Sequence, residues 1–208
     1  GRGRLTHPTT PARIGALAGG RAGHISQKKT MTHVTISDTR FLLDGVPTYT
    51  GREFEGHSIE GLLFNVRAVQ ATFDDANPET QSLWVYPDTG EWDPERNVDE
   101  FCAALPAWRE HGVLAFTINF QGGGPNYTPE VYNHFDNNGF TLDGELKPAY
   151  ADRIGRVLAR ADELGMVVIV GLFYAAHVRK MEEQAVWRAA HNALEFLLAA
   201  PPPLDRPL

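Results

Sequence analysis

The chain has 208 residues, 42% of them hydrophobic, a formal charge of −7 and a single cysteine, Cys102. Those figures exclude wholesale disorder and an internal disulfide, and they suffice for one sizeable core. The longest apolar runs, such as "MVVIVGLFYAA", fall short of the roughly 20 residues that span a bilayer, and no signal-peptide pattern stands out. A soluble protein is expected, cytoplasmic by default, without a membrane partner.

Residues 1–30 contain six basic residues and no acid, which leaves 13 basic against 26 acidic residues in the remainder. This leader is rich in Gly, Ala, Pro and Thr without apolar periodicity, so it is expected to be a disordered basic segment that precedes the natural start at Met31. The acidic remainder repels phosphate backbones, and no nucleic-acid partner is expected.

From His33 to Gly51, β-branched and aromatic residues flank an Asp44-Gly45 pair, which predicts an antiparallel hairpin because that turn needs positive φ. Leu62 to Val66 reads as a first buried strand, followed by a long loop bearing Trp84, Tyr86 and Trp92. In "NVDEFCAALPAWREHG", Val98, Phe101, Cys102, Leu105 and Trp108 form a helical stripe. Asn97 and Glu100 are spaced as a capping box, Pro106 predicts a kink or a second short helix, and Gly112 an αL cap. Cys102 on that stripe reads as a packed thiol. Val113 to Phe120 then reads as a buried strand. The pattern repeats with a helix from Pro148, Gly165 as its cap and a strand from Met166 to Tyr174, and a third helix covers about Glu182 to Leu198.

Helix, glycine, apolar strand and loop in repetition predict a parallel α/β sheet. A doubly wound sheet would carry a glycine-rich phosphate turn opening a helix, and "QGGGPNYTPE" fits badly because Pro125 and a polar loop follow its glycines. Long loops after the strands and short turns before them favour a partial (β/α)8 TIM barrel, about three βα units behind an amino-terminal hairpin, over residues 31–198.

Four stretches, "FLLDGVPTYTGR", "GLLFNVRAVQATFDD", "WDPERNVDEFCAALPAWREHGVLAFTINFQGGGP" and "ADELGMVVIVGLFY", resemble the amino-terminal half of a cellulase-like glycoside hydrolase barrel. The resemblance runs from about Thr35 to Leu198. It implies hydrolysis of the O-glycosidic bonds of a β-linked saccharide by two carboxylates. It also implies that the acid ends a fourth strand and the nucleophile a seventh, and neither strand is present. After "NALEFLLAA" the chain gives "PPPLDRPL", and consecutive prolines cannot occupy a central strand. Residues 199–208 therefore read as an aberrant tail, and the chain as a fragment lacking its catalytic residues. A non-catalytic carbohydrate-binding or scaffold fragment is the alternative.

Asn65, Arg67, Asn119, Gln121, Tyr174 and His177 stand at or near the predicted strand ends, where such a fold gathers its site, and their amide, guanidinium, phenol and imidazole groups suit sugar hydroxyls. Trp84 and Trp92, with Tyr86, offer faces for a pyranose. Among the acids, Asp74 and Asp75 read as turn caps, Glu182 and Glu183 as complements of a helix dipole, and Glu130 as the outside catalytic candidate. Scattered histidines and the absence of H-x-H or H-E-x-x-H give no metal or cofactor expectation. Exposed strand edges at Leu62–Val66 and Met166–Tyr174 predict self-association.

Overall fold

The computed structural model describes residues 31–123 and 135–199. Its amino-terminal part is a three-stranded antiparallel meander, β1 (Val34–Ser37), β2 (Arg40–Leu43) and β3 (Val46–Pro47). The expected Asp44-Gly45 turn joins β2 to β3, with φ of 50° and 81° at its two residues. A second hairpin, β4 (Glu53–Phe54) and β5 (His57–Ser58), turns at Glu55-Gly56 in the same way. Tyr49 also adopts positive φ, at 51°, an uncommon conformation for a bulky residue. It sets the phenol to donate to Gly112 O at 3.2 Å and the ring against Phe64, so it ties the hairpins to the rest of the molecule.

The third sheet is parallel, in the order β6 (Asn65–Arg67), β7 (Ala115–Asn119), β8 (Val167–Gly171). Helices α1 (Pro94–Glu110) and α2 (Pro148–Glu163) connect these strands, and α3 (Ala175–Val178) and α4 (Glu183–Leu198) follow β8. Each connecting helix ends in two reciprocal bonds around an αL glycine. Val113 N donates to Trp108 O and Gly112 N to Arg109 O, and Met166 N and Gly165 N repeat this on Ala161 O and Asp162 O. The chain leaves each helix already turned toward the next strand.

The core lies between the sheet and its helices. Val98, Cys102 and Leu105 of α1, Tyr150, Ile154, Val157 and Ala161 of α2, and Ala189 and Ala193 of α4 meet Phe116 and Ile118 of β7. Burying a side chain such as Phe116 stabilises the fold by about 1.5–3 kcal/mol. Burial pushes the Cys102 thiol up to about 11, so it stays protonated and packed at neutral pH.

Several expectations are corrected. The partial TIM barrel is not what forms: among the described residues the architecture is mixed α/β with three small separate sheets, and the parallel one has three strands and is unclosed. The helix-glycine-strand pattern specifies parallel pairing, which occurs. Closure depends on strand number and stagger, which that pattern does not encode. The first strand is Asn65–Arg67, shifted from Leu62–Val66, because Gly61 at φ 80° is still turning and Leu62 N bonds back to Ile59 O. Asp93, not Asn97, caps α1 by accepting from Glu95 N and Arg96 N, and Asn97 donates instead to Gln70 O and Ala71 O. Pro106 sits inside one uninterrupted helix. Residues 1–30, Glu130 and all but the first residue of the tail 199–208 lie outside the described residues.

Candidate functional site

Side chains alternate along a strand, and residues paired across parallel strands share a side. The ladder pairs Asn65 with Ala115 and Val167, Arg67 with Thr117 and Ile169, and Asn119 with Gly171. All of these odd-numbered positions therefore share one face, and Val66, Phe116, Ile118, Val168 and Val170 share the other. The even face is the one packed on the helices. On the odd face Asn65, Arg67 and Ile169 are exposed, and Thr117 and Asn119 are half-buried. Thr117 Oγ1 donates to Asn65 Oδ1 at 3.1 Å, which holds the amide with its NH2 available to solvent. Gly171 leaves room for the Asn119 amide, since a Cβ there would stand 2.3 Å from Asn119 Oδ1 and displace that side chain.

The register distributes these residues along the face instead of gathering them at one rim. Asn65 stands at the beginning of the ladder, Arg67 at its middle and Asn119 at its end. At about 3.3 Å per residue, the run from the level of Asn65 to that of Asn119 is about 13 Å. Asn65 also lines a cavity at the amino-terminal end of the sheet with Tyr49, Phe64 and Glu110.

Beyond the carboxyl-terminal ends of β7 and β8 lies a second group. Gln121 is fully buried: its Nε2 donates to Asn138 Oδ1 at 3.0 Å and its Oε1 accepts from Tyr174 N at 3.2 Å. It is a brace between the two strand-end loops. Gly122 at φ 66° lies so close to Tyr174 that a Cβ would stand 2.4 Å from the ring. Asn137 is equally buried, donating to Gly122 O and Gly123 O and accepting from Tyr150 OH at 2.8 Å. His177 is buried beside them. Its Nδ1 is 3.6 Å from Asp136 Oδ1 and makes no hydrogen bond. Burial holds its pKa below the ordinary value while Asp136 pulls it upward, so the ring is neutral at pH 7.

The aromatic loop packs mainly on itself. Trp84 Nε1 donates to Asp75 Oδ2 at 2.7 Å and its ring meets Phe73 edge-on. Trp92 stacks parallel to Tyr86 and also meets Phe73 edge-on, and it lines an open cavity with Gln81, Ser82 and Glu91. Asp75 organises this corner: its carboxylate is fully buried and accepts from Asn77 N, Asp136 N, Thr80 Oγ1 and Trp84 Nε1. Asp74 is paired with the buried Arg153 at 2.8 Å. Both acids serve architecture, in keeping with their reading as caps.

Thr117, Asn137 and Asn138 escaped the sequence reading. Thr117 is betrayed only by being the polar residue in the middle of "AFTIN", and the two asparagines by the polar run "DNNG". Among the described residues no group of three His, Cys, Asp or Glu side chains could hold a metal ion, and no helix is long and apolar enough to cross a membrane. No protein-family model, no curated protein and no solved structure matches this chain.

Proposed function

We propose that this chain binds a β-linked saccharide on the helix-free face of its parallel sheet. The observation that carries the reading is the set of polar groups on that face: Asn65, Arg67, Thr117 and Asn119 lie in register on it, beside the buried Ala115, the half-buried Val167 and the exposed Ile169. A pyranose is amphipathic in the same way. Its hydroxyls both donate and accept, as amides and hydroxyls do, and its C–H faces pack on apolar or aromatic groups. The length of the polar run, about 13 Å, suits more than one sugar ring, at 3.3 Å per residue of strand. The cavity at Trp92, with an amide, a hydroxyl and a carboxylate beside the ring, extends the same chemistry to the aromatic loop.

Hydrolysis of an O-glycosidic bond is the companion reading, on the strength of the resemblance to cellulase-like glycoside hydrolases. It requires two carboxylates flanking the bond. Asp75 is consumed by four donors and Asp74 by Arg153, so neither is offered for that role. Binding without turnover is accordingly the reading adopted.

Calorimetric titration with β-linked gluco-, xylo- and manno-oligosaccharides tests it, alongside an assay on aryl β-glycosides. Binding that weakens at least tenfold in Arg67→Ala and Asn119→Ala, with no turnover, is the expected result. No binding to any of the three series, or binding indifferent to both substitutions, would remove the proposal. Turnover lost in Glu130→Gln would favour hydrolysis instead.

A further inference from the structure

Three strands meet at one level of the helix-free face. Arg67 of β6 pairs with Thr117 of β7, and Thr117 with Ile169 of β8. At about 4.8 Å between neighbouring strands, the three residues cover about 10 Å, from a cation through a hydroxyl to an apolar side chain. Asn65, two residues before Arg67, and Asn119, two residues after Thr117, bring neutral amides to the same face.

Charge divides this face from the rest of the molecule. The chain has 26 acidic residues against 19 basic ones. None of the described ladder positions on the face is acidic, and Arg67 is the only one of them with an ionisable side chain. Arg67 is exposed. Glu110 of α1 lines the cavity at the amino-terminal end of the sheet, beside Asn65, so repulsion disfavours an anion at that end and leaves mid-face as its place.

A neutral saccharide is served by amides and hydroxyls alone. A guanidinium offers what a sugar hydroxyl does not need: a planar fork of donors matched to a carboxylate, with charge-assisted bonds about twice as strong as neutral ones.

We infer that the saccharide bound on this face is acidic, a β-linked chain with a uronate ring whose C6 carboxylate is held by Arg67. This rests on the saccharide reading proposed above and names the class of sugar. The ring hydroxyls meet Thr117 and the Asn65 amide, and the C–H face of the sugar lies toward Ile169. The neutral groups select a polyhydroxylated ligand over a bare anion, which would engage Arg67 alone. A charge on the edge strand β6 also deters strand pairing, a role indifferent to the sugar, and the experiment separates the two.

Calorimetric titration of the full chain with a matched pair supplies the test: β-1,4-linked glucotetraose, and the same tetrasaccharide with one internal ring oxidised at C6 to the uronate. The uronate should bind at least about tenfold more tightly. Its methyl ester, of similar shape without the charge, should return to the level of the neutral sugar. In Arg67→Gln the affinities for uronate and neutral sugar should agree within about twofold, whereas Arg67→Lys, which keeps the charge and loses the fork, should retain part of the preference. Because Arg67 is exposed, both variants keep the fold, as unchanged urea midpoints will report. Equal affinities for the two sugars, or an ester that binds like the uronate, would overturn the inference and leave the saccharide reading standing. A preference that survives Arg67→Gln would overturn it as well and assign the anion to other cations, such as those of the basic leader. Binding of neither sugar would remove the saccharide reading, and the inference with it.

Discussion

The two faces of the parallel sheet are made by the same three strands and have opposite fates. On the helix side, Phe116 and Ile118 of β7 are fully buried in the core cluster to which both connecting helices contribute, and Phe101 of α1 meets Phe116 edge-on at 5.4 Å. On the other side, one residue away in each direction, Asn65 and Arg67 are exposed, Thr117 and Asn119 are half-buried, and Thr117 donates to Asn65. The contrast teaches that stability and recognition are separated by the pleat: a step of one residue along β7 passes from the core to the candidate binding surface. Substitutions on the even side should be felt in folding, and those on the odd side in binding.

The largest effect is expected from Phe116→Ala. Removing a fully buried aromatic should cost about 3–5 kcal/mol, read as a lowered midpoint in urea denaturation. A cost under about 1 kcal/mol would mean that the helix side is not the core.

Asp75→Ala should come next, at about 3 kcal/mol, because it strands two backbone amides, the Thr80 hydroxyl and the Trp84 indole N–H in a buried corner. Trp84 is the built-in reporter. Its fluorescence should change in the variant under native conditions, and unchanged emission would argue that the indole is held by its ring packing alone.

His177 gives a smaller effect with a defined sign. Its folded pKa is depressed from the ordinary 6.5, mainly by burial and further by Lys180 and Lys147, against the pull of Asp136. Below pH 6.5 the unfolded chain therefore binds a proton that the folded chain refuses. Stability is full above that pH and declines as the pH falls toward the depressed value, by at most about 1.4 kcal/mol per pH unit for one proton. His177→Gln should flatten this part of the pH–stability curve. A variant with the same slope as the parent would assign the decline to other groups.

Thr117→Val should be the mildest change to folding, within about 0.5 kcal/mol, since it removes one exposed hydrogen bond to Asn65 and keeps the β-branched shape. It should nevertheless weaken saccharide binding by freeing the Asn65 amide. Equal losses in stability for Thr117→Val and Phe116→Ala would erase the distinction between the faces.

Parallel strands, their helices and the glycine caps at Gly112 and Gly165 were readable from the chain, because apolar periodicity and αL requirements are local. So was the Asp44-Gly45 turn. The strand start at Asn65 was not, since Leu62, Leu63 and Phe64 are apolar enough for a strand and only the turn at Gly61 delays the ladder. Of the candidate site residues, Asn65, Arg67 and Asn119 do share a face. Gln121, Trp84 and His177 were chosen for chemistry and position, and their neighbours turned them inward: Asn138 and Tyr174 around Gln121, Asp75 and Phe73 around Trp84, and the loop carrying Asp136 beside His177.

What the sequence by itself determined is thus the local grammar of the longer elements: the helices α1, α2 and α4, the strands β7 and β8 with the glycine caps before them, and their parallel pairing, but not the β4–β5 hairpin, α3 or the start of β6. Only the tertiary structure decided that the parallel sheet of the described residues is a three-stranded, unclosed one, which polar side chains are consumed by neighbours, and which stay on the surface. The physical reason is that periodicity is a property of a few consecutive residues. Sheet closure and hydrogen-bond satisfaction depend on groups far apart in the chain, as Asp75 and Asp136 are, and no short window contains both.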